Sequence, residues 1–436
     1  MRALYLFKRD LRLEDNRALA YASERHREIL PLFVFDPEII ESLKAEGERL
    51  YYVVRAVERL SKRIKLYCAY GKTHEVLRDV FRVYKPSHLY TAVSYSWDGV
   101  ERNKSIKKVC EEFGVEYVEV FENFLVDPRE VPQRKVYTPF YKEWIKRVDL
   151  GEGKVKEFQV PELSLPQIEQ IKPMLKLSDY RHFDPDQCEK RLESFSFESY
   201  EDTRNYPAMD GTSKLSPCIR FGILSLRKIF KKAQGKSEQF IKELAWREFW
   251  YHIALNFPET KNVEFQEKRR NIAWENREEY IEAFLEGKTG YPIVDAGIRQ
   301  LKTEKWLHNR VRMILASFLT KVLLVDWRIG EEFFKEHLLD YDQVVNVGNW
   351  QWSASVGADP KPFRLFNPIL QAQRYDPECK YIKKYLPGLA QVPCHMLHNP
   401  ISHALPYHKL VVNYYERVNL SKRAYGLTQN QIGDDF

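Results

Sequence analysis

The chain has 436 residues, with 69 basic and 62 acidic side chains and a net charge of +7. At 44% hydrophobic and 30% charged residues it is neither a disordered nor a fibrous polymer, and its length calls for two domains or three. No run reaches the ~18 to 20 continuous apolar residues of a membrane span. Met1-Arg2 leads directly into Ala3-Leu4-Tyr5-Leu6-Phe7 without a secretory leader, so a cytosolic protein is expected.

In chain order, the first 125 residues alternate short apolar runs with helical patterns, which predicts an α/β region with a parallel sheet. The expected strands are Ala3–Phe7, Ile29–Phe35, Leu66–Ala69, His88–Val93 and Tyr117–Phe121. Between them, Arg49–Ile64 and Thr73–Tyr84 have helical spacing. The turn after the first strand, Lys8 to Asn16, has no Gly-x-Gly-x-x-Gly, which disfavours an ordinary dinucleotide site in a Rossmann-like sheet. Pro161, Pro166, Pro173 and Pro185 mark a linker, assigned to residues 126–185. From 186 to 436 an all-α domain is expected, with Leu307, Val311, Ile314, Phe318, Val322 and Val325 forming one long buried helix.

Six cysteines (Cys68, Cys110, Cys188, Cys218, Cys379, Cys394) never form Cys-x-x-Cys, so neither a zinc module nor a disulfide framework is indicated, and no metal is expected. The sequons at Asn103 and Asn419 read as chance in a cytosolic chain. The modest positive charge permits a nucleic-acid partner without requiring one. Tryptophan is more telling: seven of nine lie between Trp246 and Trp352.

Three stretches could carry chemistry. Asp340 to Trp352 sets two acids two residues apart, then Asn346, then Trp350 and Trp352, a pattern that suits a flat, nitrogen-rich heterocycle better than a core. Glu243, Trp246, Arg247 and Trp250 share one helix stripe; Trp250 reads as core, whereas Glu and Arg beside Trp246 point to a cleft. Gly211 to Pro217 offers hydroxyls, backbone N–H groups and Lys214 at a helix start, which suits a phosphate, although a simple helix cap at Ser216 fits equally. Asn309, Arg312 and Met313 share a helix face, which alone reads as solvated surface.

Taken together, Phe7 to Asn16, Thr212 to Pro217, Glu243 to Phe249, Gly287 to Asp295, Trp306 to Met313 and Asp340 to Trp352 resemble the DNA photolyase/cryptochrome family, in that family's order and over essentially the whole chain. The resemblance is nearest to the class I branch that repairs cyclobutane pyrimidine dimers. It implies an α/β antenna-binding domain (1–125), a linker (126–185) and a helical FAD-binding domain (186–436).

By this resemblance Tyr200, Thr212, Ser213, Lys214, Leu215, Ser216, Phe240 and Arg247 line FAD. Asp340, Tyr341 and Asp342 hold it, Arg312 pairs with Asp340, and Asn346 faces flavin N5, where a neutral amide tolerates a protonated nitrogen. Glu243, Trp246, Asn309, Met313 and Trp352 match the dimer pocket, with Glu243 and Asn346 in the reaction. Arg204, Arg310, Arg364 and Gln371 match DNA backbone contacts. Trp350, Trp327 and Trp274 match a relay that carries electrons to the flavin. In the antenna segment Ser96 to Glu101, Val100 stands where folate-binding members have Asn, so a deazaflavin or second flavin is expected over methenyltetrahydrofolate. The implied activity is light-driven dimer repair on DNA by a monomer with no obligate protein partner and no membrane. A cryptochrome-type photoreceptor is the alternative; Met313, Asn346 and the absence of a long polar tail before Phe436 speak against it.

Overall fold

Five parallel strands, β1 (Arg2–Phe7), β2 (Glu28–Phe35), β3 (Tyr67–Tyr70), β4 (His88–Ala92) and β5 (Glu116–Val120), form one sheet in the order β3-β2-β1-β4-β5. The computed structural model describes residues 2–42, 47–164 and 182–427. The linker positions Pro166 and Pro173 and the end of the chain at Phe436 lie outside the described residues. All five expected strands form, each within one residue at either end. They form because they are nearly continuous apolar runs, as a sheet covered on both faces requires. Leu4, Leu6, Leu30 and Leu32 pack with Val76, Leu77, Val80 and Phe81 of helix Thr73–Tyr84 and with Ile106 and Val109 of helix Trp97–Phe113. On the opposite face Ala3, Tyr5 and Phe7 are equally buried.

The described chain divides into two compact units. One comprises Met1–Pro132, Lys142–Phe197 and Ser213–Tyr251; the other comprises Gln133–Tyr141, Glu198–Thr212 and His252–Phe436. In the first, a buried charge network joins the turn after β1 to helix Leu226–Ala233. Arg12 Nη2 donates to Glu122 Oε1 at 2.5 Å, Arg227 Nη2 donates to the same oxygen at 3.1 Å, and Arg227 Nε donates to Asp15 Oδ2 at 2.8 Å. Arg12, Arg227 and Glu122 are almost inaccessible to water.

The second unit is helical. Its expected long helix is shorter than the apolar spacing implies: Asn309–Ser317 is α-helical, then Phe318–Val322 widens into a π turn. Apolar spacing reports which positions are buried, and it continues through the π turn without marking the change of pitch. The cysteines also depart from expectation. Cys188 pairs with Cys218 in the first unit and Cys379 with Cys394 in the second, across 30 and 15 residues. Folding brings their Cα atoms within 5.9 and 5.7 Å, a proximity no local motif encodes.

Candidate functional site

In the second unit, helix Gln343–Ser353 organises the Asp340 to Trp352 stretch. Asp342 is its N-cap: Oδ1 accepts from Val344 N at 3.1 Å and from Val345 N at 3.2 Å. Asp340, one turn earlier, accepts from Arg312 Nη2 at 2.9 Å, with its side chain 3% exposed against 27% for the arginine. Arg312 is held in place by its own Nε–H, which donates to Leu307 O at 2.8 Å. The expected Arg312–Asp340 pair is therefore formed inside a helical layer.

Asn346 is buried, and its amide has one anchored end. Nδ2 donates to Glu331 Oε1 at 3.1 Å and to Glu331 O at 3.2 Å, so the carbonyl Oδ1 is the end left to meet a ligand. Tyr341 OH donates to the same Glu331 Oε1 at 3.0 Å. Burial raises the Glu331 carboxyl, while the bonds from Asn346 and Tyr341 pull it back. Glu331 was invisible to sequence reasoning because it lies 15 residues from Asn346 on another helix, Trp327–His337.

The same helix positions two of the tryptophans expected to form a relay, Trp327 on it and Trp350 against it. Trp327 begins it, and Gly330 follows one turn later on the same face. A methyl group on Gly330 would collide with the Trp350 ring, so the indole lies against the helix backbone. Phe334 closes the other side, edge to face at 4.8 Å. Trp274 precedes Glu275 and Asn276, which are tied to the residues just ahead of Trp327: Glu275 N donates to Leu324 O, and Asp326 N to Asn276 Oδ1. Trp350 and Trp327 are buried, whereas Trp274 is half-exposed beside Tyr425.

The expected DNA contacts of this unit differ in their surroundings. Arg310 donates to Asn205 Oδ1 at 2.9 Å and lies 4.4 Å over the Tyr375 ring. Gln371, 2% exposed, supports it by accepting from Nη1 at 3.4 Å. Arg364 is paired with Asp359 and stacks over Trp352 at 4.5 Å. Arg204 sits over Tyr200 at 5.4 Å. Asn309 is exposed and Met313 half-buried on one face of helix Asn309–Ser317.

In the first unit, helix Glu238–Asn256 carries the stripe read from the sequence. Glu243 Oε1 accepts from Gln239 Nε2 at 2.8 Å, and Trp246 stays half-exposed while meeting Trp250 at 5.4 Å. Trp250 is core, as its spacing suggests. Phe240 is buried against Phe195 and Phe197, and Arg247 lies between the Phe124 and Tyr251 rings while donating to Asn123 O at 3.2 Å. Ser213 Oγ accepts from Leu215 N at 3.3 Å, Lys214 takes a left-handed φ of 52°, and Ser216 begins a five-residue helix capped by Leu215. Thr212 and Tyr200 belong to the second unit, half-buried and buried respectively.

The sheet offers another site. Its strand order reverses between β1 and β4, the point at which open α/β sheets bind ligands outside their strand C-termini. Lys8 follows β1 there; its Nζ donates to Asn103 Oδ1 at 2.7 Å, and desolvation pushes its ammonium down to about 7. Glu101 lies at the surface, paired with Lys104. Among the described residues, one group has metal-ligand spacing, Cys379, Cys394 and His398, and its two sulfurs are joined to each other.

The family model described as the FAD binding domain of DNA photolyase matches residues 240–425, and the one described as DNA photolyase matches residues 3–162. A Synechococcus deoxyribodipyrimidine photo-lyase is 34% identical across 89% of this chain and 88% of its own length. The chain belongs to the DNA photolyase family. Among solved structures, an archaeal photolyase from Sulfolobus tokodaii, described with two FAD molecules and a novel light-harvesting cofactor, matches with a TM-score of 0.87 and 34% identity. It covers 98% of this chain and 100% of its own. A class III photolyase from Agrobacterium tumefaciens matches with a TM-score of 0.88 and 28% identity, over 98% and 97%. A photolyase-type FAD-binding domain is therefore present, and among the described residues no helix is long and apolar enough to cross a membrane.

Proposed function

We propose that this protein is a deoxyribodipyrimidine photo-lyase that splits cyclobutane pyrimidine dimers in DNA with light. The observation that carries this reading is the anchored amide of Asn346. With Nδ2 held by Glu331, Oδ1 can only accept, which suits the N–H of a reduced flavin at N5. An aspartate at this position would add a negative charge beside a flavin that is itself anionic when reduced. In the second unit the donors fit a flavin: Asp340 and Asp342 offer carboxylate oxygens to ring N–H groups, and Arg312 pairs with Asp340; in the first unit Ser213, Lys214 and Ser216 suit phosphates. When bound, reduced FAD supplies the photoexcited electron that opens the dimer and receives it back.

The chain's own residues do the rest. Each unit offers an indole for stacking on a base taken out of the helix, Trp246 in the first and Trp352 in the second, each contributing on the order of 1–3 kcal/mol. In the first unit Glu243 bonds a dimer carbonyl, and in the second Asn309 and Met313 offer their side chains to a dimer base. Arg204 and Arg310 meet phosphates, so affinity falls with salt and carries no base preference. Arg364 and Gln371 act behind them, as supports of Trp352 and Arg310. The strand C-termini at the β1–β4 reversal hold the antenna, a deazaflavin or second flavin. The protein works in the cytosol as a monomer.

The test is repair by purified protein under near-ultraviolet light, with FAD reduced, of an oligonucleotide carrying one thymine dimer. Glu243→Ala should lower repair yield while FAD stays bound. Unchanged yield would remove Glu243 from its assigned role.

A further inference from the structure

The two buried tryptophans of the relay have opposite polar surroundings. Trp350 Nε1 finds no hydrogen-bond partner among the described residues. Trp327 Nε1 donates to Glu264 Oε1 at 3.0 Å, and both residues are almost fully buried. Glu264 is an acid with a salt bridge already: Arg328 donates to Oε2 at 3.1 Å and lies 4.7 Å over the Trp327 ring. Arg328 is in turn shared with Asp326, whose oxygens it meets at 3.0 and 3.1 Å. Arg270 turns to the Glu264 backbone carbonyl at 3.0 Å, not to its carboxylate.

From this we infer that Glu264 is a positioning residue that makes Trp327 a better electron donor than Trp350, and so gives the relay its direction. The inference rests on the relay reading above and goes beyond it. A buried indole that loses an electron becomes a cation in a medium of low dielectric, where its nearest charges decide its stability. The carboxylate is in direct contact with the N–H group, where positive charge concentrates. The guanidinium opposes it from 4.7 Å, but two carboxylates, Glu264 and Asp326, share that one cation. The local balance is therefore negative, and it favours a hole on Trp327. Trp350 has no such acceptor, so an electron passes readily from Trp327 to oxidised Trp350 and returns reluctantly. In this step Trp327 is oxidised by one electron, Trp350 is reduced by one, and no bond is formed or broken. The proton stays in the Trp327–Glu264 hydrogen bond.

The experiment is transient absorption of the tryptophan radicals, alongside the yield of flavin photoreduction, in protein carrying oxidised FAD. Glu264→Gln keeps the shape and an acceptor oxygen but removes the charge. It should cut the yield of long-lived radical about tenfold, as expected when a hydrogen bond to a charged group becomes neutral. Glu264→Asp should recover part of the loss. Arg328→Met removes the opposing cation and should raise the yield, an opposite sign that damaged packing would not produce; it also decides the matter if Glu264→Gln fails to keep FAD. Wild-type yields and radical lifetimes in Glu264→Gln, or a fall in Arg328→Met, would overturn the inference. Trp327→Phe separates the two levels. If it photoreduces like wild type the relay reading itself fails, whereas if it is silent and Glu264→Gln is unchanged, only the role of Glu264 is lost.

Discussion

Two buried carboxylates, Glu122 in the first unit and Asp340 in the second, sit in different surroundings. In the first unit Glu122 is closed on all sides: Arg12 and Arg227 bond it, and the backbone N–H groups of Arg17 and Asn123 donate at 2.6 and 2.9 Å. Burial would raise its carboxyl, but those guanidiniums and N–H groups hold it below the usual range. In the second unit Asp340 meets Arg312, itself partly exposed, and Asn346 is anchored at one end only. A carboxylate whose partners all come from the chain braces the fold. An amide held at its nitrogen only, as Asn346 is, is poised for something that is not part of the chain.

The largest expected effect falls on Asp340. Asp340→Ala should cut FAD retained through purification about tenfold or more, read from flavin absorbance per protein, because removing one partner of a buried pair strands the other. Retention at the wild-type level would mean that Asp340 is structural after all. Glu122→Ala should instead lower unfolding free energy by about 3–5 kcal/mol in chemical denaturation, leaving repair per folded molecule unchanged.

Next in size is a pH effect. Burial pushes Glu248 up to about 7, against donors from Leu125 N, Val126 N and Trp144 Nε1, and likewise Asp295, which accepts from Thr289 and Gly290. The folded chain therefore binds protons that the unfolded chain has released, so stability rises as pH falls from about 8 to 5. Glu122 acts oppositely only below its ordinary range, and Lys8 only above about 7. Denaturation midpoints should show a gain of order a few kcal/mol across that window. Glu248→Gln should flatten it, and an unchanged slope would exclude Glu248. The smallest effect is expected for Asn309→Ala, about 1 kcal/mol in affinity for dimer-containing DNA.

How much of this was legible varies with the kind of information involved. The five strands were, because a sheet covered on both faces needs unbroken apolar runs and Ile29–Phe35 or His88–Val93 are such runs. The Arg312–Asp340 pair was reached only through motif resemblance, and so was the proposal of a tryptophan relay, since Trp327 by itself reads as core. Glu122 with Arg12 and Arg227, at 110 and 105 residues' separation, had no local signal. Gly330, Glu331 and Glu264 were missed for the same reason. Each matters through one contact made across helices, and an isolated Gly or Glu on a helix looks ordinary. The two disulfides are a further case, since a cysteine's partner depends on the fold and not on its neighbours.

The most direct test of the account is light-dependent repair itself. Purified protein with reduced FAD is mixed with an oligonucleotide carrying a single cyclobutane thymine dimer, and restored thymines are counted with and without illumination. The account predicts near-complete restoration in the light, none in the dark, and loss of the light response on replacing Asn346 with Asp. Equal dimer content in the light and the dark, with FAD bound and reduced, would contradict it.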